Sequence, residues 1–237
     1  MVTPSYSITC LRKTLLAPNV YELVFERPKG FTFKAGQFVL FDVPVLSNPT
    51  DLQPRAYSLA STPDEPDLLF IVKLKEGGRF SVWLEQQIEV GSSLTIKGPF
   101  GFFTLRQNTN DCLFVATGAG IAPFRGHILD ALKYGNTRTM HLFFGVRNED
   151  DLFWTKTFKE LKASHSNLHL HLCLSRASPD WKGKRGRVQD FIPEVIKDPH
   201  ATDLYVCGAP EMVNDIKKTA LEIWSIPKGN VHGEGYV

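Results

Sequence analysis

Two glycines, Gly118 and Gly120, follow an apolar run and open a helix-like segment in ATGAGIAPF. Glycine lets a backbone approach a ligand closely, and a helix start offers free N–H groups at the positive end of its dipole. With Thr117 beside them, these positions suit a pyrophosphate. The spacing is not G-x-G-x-x-G, the usual dinucleotide fingerprint, and a plain strand-to-helix turn accounts for it equally well. Two more apolar runs end in glycine-bearing turns: FFGVR, closing on Arg147, and VCGAPEM, with Cys207 and Gly208 ahead of Pro210. Ligands of open α/β sheets bind outside the carboxyl ends of the strands, so three such ends point to a nucleotide site.

Ser175 and Arg176 follow the run LHLHLCL. A hydroxyl and a guanidinium at a strand end match a phosphate monoester such as the 2′-phosphate of NADP, and Arg185 is grouped with them. A solvated basic loop through Lys184, Arg185 and Arg187 is the competing reading. No acidic residue occupies this strand end to take a bare ribose, which favours NADPH, with NADH as the alternative. Earlier in the chain, RAYS puts a cation, an aromatic ring and a hydroxyl within four residues, Arg55 to Ser58. Singly these read as a surface charge, a half-buried strand residue and a filler.

These residues need elements to hold them, and the two halves of the chain have different rhythms. Residues 1–106 read as all-β by period-two alternation and turn punctuation. VYELVFERP sets Tyr21, Leu23 and Phe25 against Glu22, Val24 and Glu26; GQFVLFDV, LLFIVKL and Leu94–Lys97 follow. Short strands with Gly/Pro turns predict a closed antiparallel barrel. One helix is expected at Gly78–Gln87, with Phe80, Trp83 and Leu84 at helical spacing. Residues 107–237 alternate continuous apolar runs with helical patterns, including helices at 152–162, near 188–192 and at 210–223. That alternation predicts a doubly wound parallel sheet, with the boundary in the polar stretch RQNTND.

Bulk properties exclude several classes. Of 237 residues, 43% are hydrophobic and 22% charged, and the net charge is +2. That is an ordinary globular composition with no basic stripe for nucleic acid. No run approaches about 18 apolar residues, and no leader-like apolar segment opens the chain, so no membrane span and a cytoplasmic location are expected. The four cysteines are far apart, without zinc or plant-type iron–sulfur spacing. His169 and His171 share a strand face but lack an evident third ligand, so no metal is expected.

Taken in order, AGQFV, R-x-Y-S at Arg55, Tyr57 and Ser58, GGRFSVWL, GPFGFF, TGAGIAP, FFGVR, VCGAPEM and HGEGYV resemble the ferredoxin–NADP reductase family over nearly the whole chain. The resemblance implies FAD on a barrel domain (1–106) and NAD(P)H on an α/β domain (107–237), with the nicotinamide stacked on the flavin between them. It gives Arg55 a flavin phosphate, Tyr57 the isoalloxazine face and Ser58 the neighbourhood of flavin N5. Gly77, Gly78 and Ser81 would hold the pyrophosphate. Cys207 would position the nicotinamide rather than act as a nucleophile. Glu234 and Tyr236 would close the site, and Met212 is grouped with the nucleotide-binding residues, packing under its helix. Two departures stand out: Ala119 replaces the family threonine, and Val237 follows the tail aromatic. The implied activity passes hydride from NADPH to flavin and electrons on to a ferredoxin or flavodoxin. An oxygenase reductase component, a free-flavin reductase and a non-catalytic nucleotide-binding subunit are the alternatives. The oligomeric state is not read from the sequence.

Overall fold

The computed structural model describes residues 3–45 and 48–236, and Val237 lies outside them. The chain forms two compact units. One holds the residues up to Thr104 together with Arg125–Asp130; the other holds Leu105–Phe124 and Ala131 onward. The boundary thus falls two residues before the expected one, and the stretch 125–130 packs with the first unit.

The first unit is an antiparallel sheet of β1 (Ser5–Ala17), β2 (Val20–Glu26), β3 (Phe38–Val45), β4 (Asn48–Ser58), β5 (Asp67–Lys73) and β6 (Ser93–Phe100). Its order is β4-β3-β6-β1-β2-β5, and the end strands β4 and β5 also touch, so the sheet curls into a barrel. Phe25, Phe41, Phe70 and Ile96 fill its interior at 0–1% exposure. α1 (Arg79–Gln87) buries Phe80, Trp83 and Leu84, the residues whose spacing marked it as a helix. The strand alternation is less strict than expected. Glu22 and Val24 are buried as well as Leu23 and Phe25, because both faces of β2 are covered. Glu22 tolerates this by accepting from Arg12 at 2.9 Å.

The second unit is a parallel sheet in the order β10-β9-β8-β7-β11-β12. Its strands are β7 (Asp111–Thr117), β8 (Met140–Val146), β9 (Leu168–Leu174), β10 (Lys184–Arg185), β11 (Thr202–Gly208) and β12 (Val231–Gly235). Residues 112–116 of β7 and all of β11 are buried, as strands covered on both faces must be. α2 (Ala122–Lys133), α3 (Thr155–Ser164) and α4 (Pro210–Glu222) connect them. α4 packs on β11 and β12, while the Phe124 ring packs at a tilt against Phe114 and Phe114 against Tyr205. The helix expected near 188–192 is instead two 3-10 turns, Val188–Asp190 and Ile192–Glu194. Pro193 accounts for the break, since its ring and missing N–H oppose a continuous α-helix. The polar stretch before β7 has a structural use: Asn108 and Asn110 donate to the fully buried Asp203 at 2.8 and 3.1 Å. Among the described residues, no helix is long and apolar enough to cross a membrane.

Candidate functional site

In the parallel sheet the chain winds from β7 outward through β8, β9 and β10, then returns to the other side of β7 for β11 and β12. The reversal lies between β7 and β11, and a crevice at such a switch point is where α/β sheets bind ligands. Thr117 ends β7 there, and Cys207 and Gly208 end β11. The turn Gly118–Ile121 passes against the end of β11. A Cβ on Gly120 would stand 2.2 Å from the Cys207 carbonyl oxygen, so only glycine allows this approach. Ala209 N–H, ahead of α4, donates to Thr117 Oγ1 at 3.3 Å. Met212, on the first turn of α4, approaches Gly208.

β12 completes the group. Its register sets Glu234 beside Cys207 and Gly235 beside Gly208. Tyr236 N–H then donates to the Gly208 carbonyl at 2.9 Å, which ties the tail to the end of β11. Cys207 is fully buried, and burial pushes its thiol well up. A hydrogen bond from Tyr236 opposes that rise and the nearby Glu234 adds to it. The thiol is therefore neutral at physiological pH and a poor nucleophile. Burial also raises the Glu234 carboxyl to about 7. Thr117, Gly118, Gly120, Cys207, Gly208, Met212, Glu234 and Tyr236 are thus brought together at one end of the sheet.

Arg147, Ser175 and Arg176 meet at the adjacent strand ends. Arg176 N–H donates to the Arg147 carbonyl at 2.8 Å, and Ser175 N–H to Val146 at 3.2 Å. Arg185 pairs with Leu174 and donates to Pro179 and Trp181 carbonyls at 2.6 and 2.9 Å. All four side chains are exposed. Glu149, from the loop after β8, approaches the loop of Ser175 and Arg176 further along: it accepts from both Ser178 N–H and its hydroxyl, at 2.9 and 2.7 Å. The acid is remote in sequence from the basic run, and only the parallel pairing of β8 with β9 brings the loops together.

In the first unit, Arg55 and Tyr57 lie on one face of β4. The Tyr57 ring packs 4.5 Å from Phe80 and 5.6 Å from Phe41, half-buried at the edge of the core. Burial raises its hydroxyl pKa, with Arg55 opposing the rise. Ser58 ends the strand at 5% exposure. Gly77 and Gly78 form the turn into α1, where Ser81 Oγ accepts from Lys75 N–H at 2.8 Å and Gly78 N–H donates to the Lys75 carbonyl at 2.8 Å. α1 has neither a capping side chain nor an acid in its first turn. Its first residue, Arg79, carries a buried guanidinium nitrogen, Nη1, that has no partner among the described residues. An orphaned cationic donor at an uncapped helix start fits an anionic group such as the pyrophosphate of FAD. Sequence reading passed over Arg79 although it lies within GGRFS between residues already singled out.

Two domain families match the chain: an oxidoreductase FAD-binding domain over residues 7–105 and an oxidoreductase NAD-binding domain over residues 114–218. The chain is 35% identical over 232 residues to ferredoxin–NADP reductase B of Sorangium cellulosum, covering 93% of each protein. It is 32% identical over 212 residues to the reductase component DmpP of a phenol 2-monooxygenase from a Pseudomonas species. That match covers 87% of this chain and 59% of the longer relative. The solved cytochrome P450 reductase of Amycolatopsis superposes with a TM-score of 0.86 at 25% identity, covering 99% of this chain and 71% of that one. With its barrel sheet, its switch-point crevice and these relatives, the chain belongs to the ferredoxin–NADP reductase family, the flavin-dependent NAD(P)H oxidoreductases.

Proposed function

We propose that this protein oxidises NADPH through bound FAD and delivers the electrons to a small redox protein such as a ferredoxin or flavodoxin. The observation that carries the reading is the crevice between β7 and β11, where glycine turns, a neutral buried thiol and a carboxyl titrating near neutrality converge. Thr117, Gly118, Gly120 and Gly208 line the nucleotide's path, and Cys207 and Met212 supply apolar surface to orient the nicotinamide. Arg147, Ser175, Arg176 and Arg185 face the adenosine 2′-phosphate. Glu234 holds or releases a proton near the ring, and Tyr236 covers it. In the barrel, Arg55, Gly77, Gly78, Arg79 and Ser81 hold the FAD phosphates, Tyr57 supports the ring system and Ser58 hydrogen-bonds near N5. FAD supplies the ability to take two electrons together and release them one at a time; the protein supplies orientation and charge.

Identity to an oxygenase reductase component favours a second reading, in which the electrons feed an oxygenase. The four free, buried thiols suit a reducing compartment, and we place the protein in the cytoplasm. The test is anaerobic stopped-flow reduction of the yellow protein with NADPH and NADH in parallel. Faster bleaching by NADPH is expected, and Arg176→Ala should weaken NADPH about tenfold or more while sparing NADH. Equal rates with both nucleotides would remove the 2′-phosphate role from Ser175 and Arg176. A colourless protein that gains no absorbance with added FAD would remove the flavin.

A further inference from the structure

The backbone just past Ser58 is held from several directions by side chains with no assigned role. Leu59, Ala60 and Ser61 are fully buried, and Thr62 is 5% exposed. Leu59 N–H donates to Gln37 at 2.9 Å and Ala60 N–H to Leu69 at 2.8 Å. Arg125, on α2, donates to the Ala60 carbonyl at 2.9 Å. The same guanidinium forks onto Glu65, with Nη1 on Oε2 at 2.9 Å and Nη2 on Oε1 at 2.8 Å. Glu65 in turn accepts from Thr62 N–H at 2.6 Å, and Arg27 donates to the Glu65 carbonyl at 3.2 Å. Gly126 brings the helix backbone close: a Cβ there would stand 3.0 Å from the Ser61 carbonyl oxygen.

We propose that the Arg125–Glu65 pair is a positioning clamp that fixes the end of β4, and through it Ser58, at the distance from the flavin needed for fast reduction. The inference rests on the flavin reading of Ser58 given above. Neither clamp residue needs to touch the cofactor. The pair is 15% and 33% exposed, partly sheltered from water, and its two parallel bonds fix direction as well as distance. Burial acts to raise the Glu65 pKa, but the bonds from Arg125 and Thr62 outweigh it and hold the carboxyl below its usual range. The clamp is therefore ionised throughout the working pH range. A helix is a stiff mount, and a misplacement of about 1 Å at a reacting centre costs on the order of a hundredfold in rate.

The test uses the holoprotein with Glu65→Gln and, as a milder change, Arg125→Lys, which keeps the charge and loses the fork. Three quantities are measured: amide hydrogen exchange across residues 59–62, the FAD content and visible spectrum, and the limiting reduction rate per bound flavin beside the KM for NADPH. Expected for Glu65→Gln are retained FAD, a shifted flavin band, exchange at 59–62 faster by about tenfold, and a limiting rate lower by about tenfold with KM within about twofold. Arg125→Lys should fall between it and the native protein. A limiting rate within about twofold of native, with or without faster exchange or a lower Tm, overturns the clamp and leaves the flavin reading standing. Native protein that binds no FAD overturns both.

Discussion

At the scale of single residues, Glu234 gives the sharpest consequence. Burial raises its carboxyl from 4.5 to about 7. Below pH 4.5 both the folded and the unfolded chain hold the proton, and the group does not affect stability. As pH rises from 4.5 to about 7, the unfolded chain releases its proton first, so folding becomes less favourable; above about 7 the penalty is constant. Glu234→Gln removes the titration. The variant should match the native protein in unfolding free energy at pH 4 and exceed it at pH 8 by at most about 3 kcal/mol, read as an equal Tm at pH 4 and a higher Tm at pH 8. A gap that stays constant from pH 4 to 8 would show that Glu234 does not titrate in this window. The neighbourhood of Glu234 was partly legible in advance. VCG and HGEGYV mark two strand ends rich in glycine, but only the parallel register reveals that Glu234 lies beside Cys207. Glu149 was not legible, because nothing local to EDD indicates that its carboxylate bonds to Ser178 on another loop.

At the scale of elements, α1 shows how an anion site arises from what a helix lacks. With Gly78 at its N-cap, no capping side chain and no acid in its first turn, α1 leaves its positive end without a counter-charge of its own. Arg79 Nη1 adds a buried donor in need of an acceptor. A charge-assisted hydrogen bond contributes about 1.5–3 kcal/mol, so Arg79→Ala should weaken FAD binding roughly tenfold to hundredfold. Riboflavin, which has the same ring system without phosphates, should bind the native protein and the variant alike. An equal loss for both ligands in fluorescence titrations would place Arg79 near the ring rather than the phosphates. Periodicity located this helix because three large side chains recur on one buried face. The same logic failed at 188–192, where Val188 and Ile192 are buried at helical spacing but Pro193 restricts the chain to 3-10 turns. Glu22 on β2 defeated the alternation rule for another reason: Arg12, ten residues away, makes its burial tolerable.

At the scale of the whole molecule, α2 is divided in a way no composition shift announces. Its residues Arg125–Asp130 cluster with the barrel unit, although the sequence on both sides belongs to the parallel-sheet unit. His127 contributes to this: fully buried, it hydrogen-bonds the Phe103 carbonyl at 2.7 Å, and burial lowers its pKa to about 4, so the ring stays neutral at physiological pH. Ligand binding to the native state stabilises it by RT ln(1 + [L]/Kd), about 2.7 kcal/mol at a hundredfold excess over Kd. That stabilisation registers as slower exchange wherever amides open only with the unit that holds the ligand. FAD should therefore protect 125–130 together with β4, β5 and the turn into α1. NADP+ alone should protect the turn 118–121 and residues 205–209 and leave 125–130 unchanged. Mass-resolved hydrogen exchange on the flavin-free protein, with each ligand added separately, distinguishes these patterns. Protection of 125–130 by NADP+ but not by FAD would assign that stretch energetically to the nucleotide unit, against the packing that Arg125 and His127 make with the barrel.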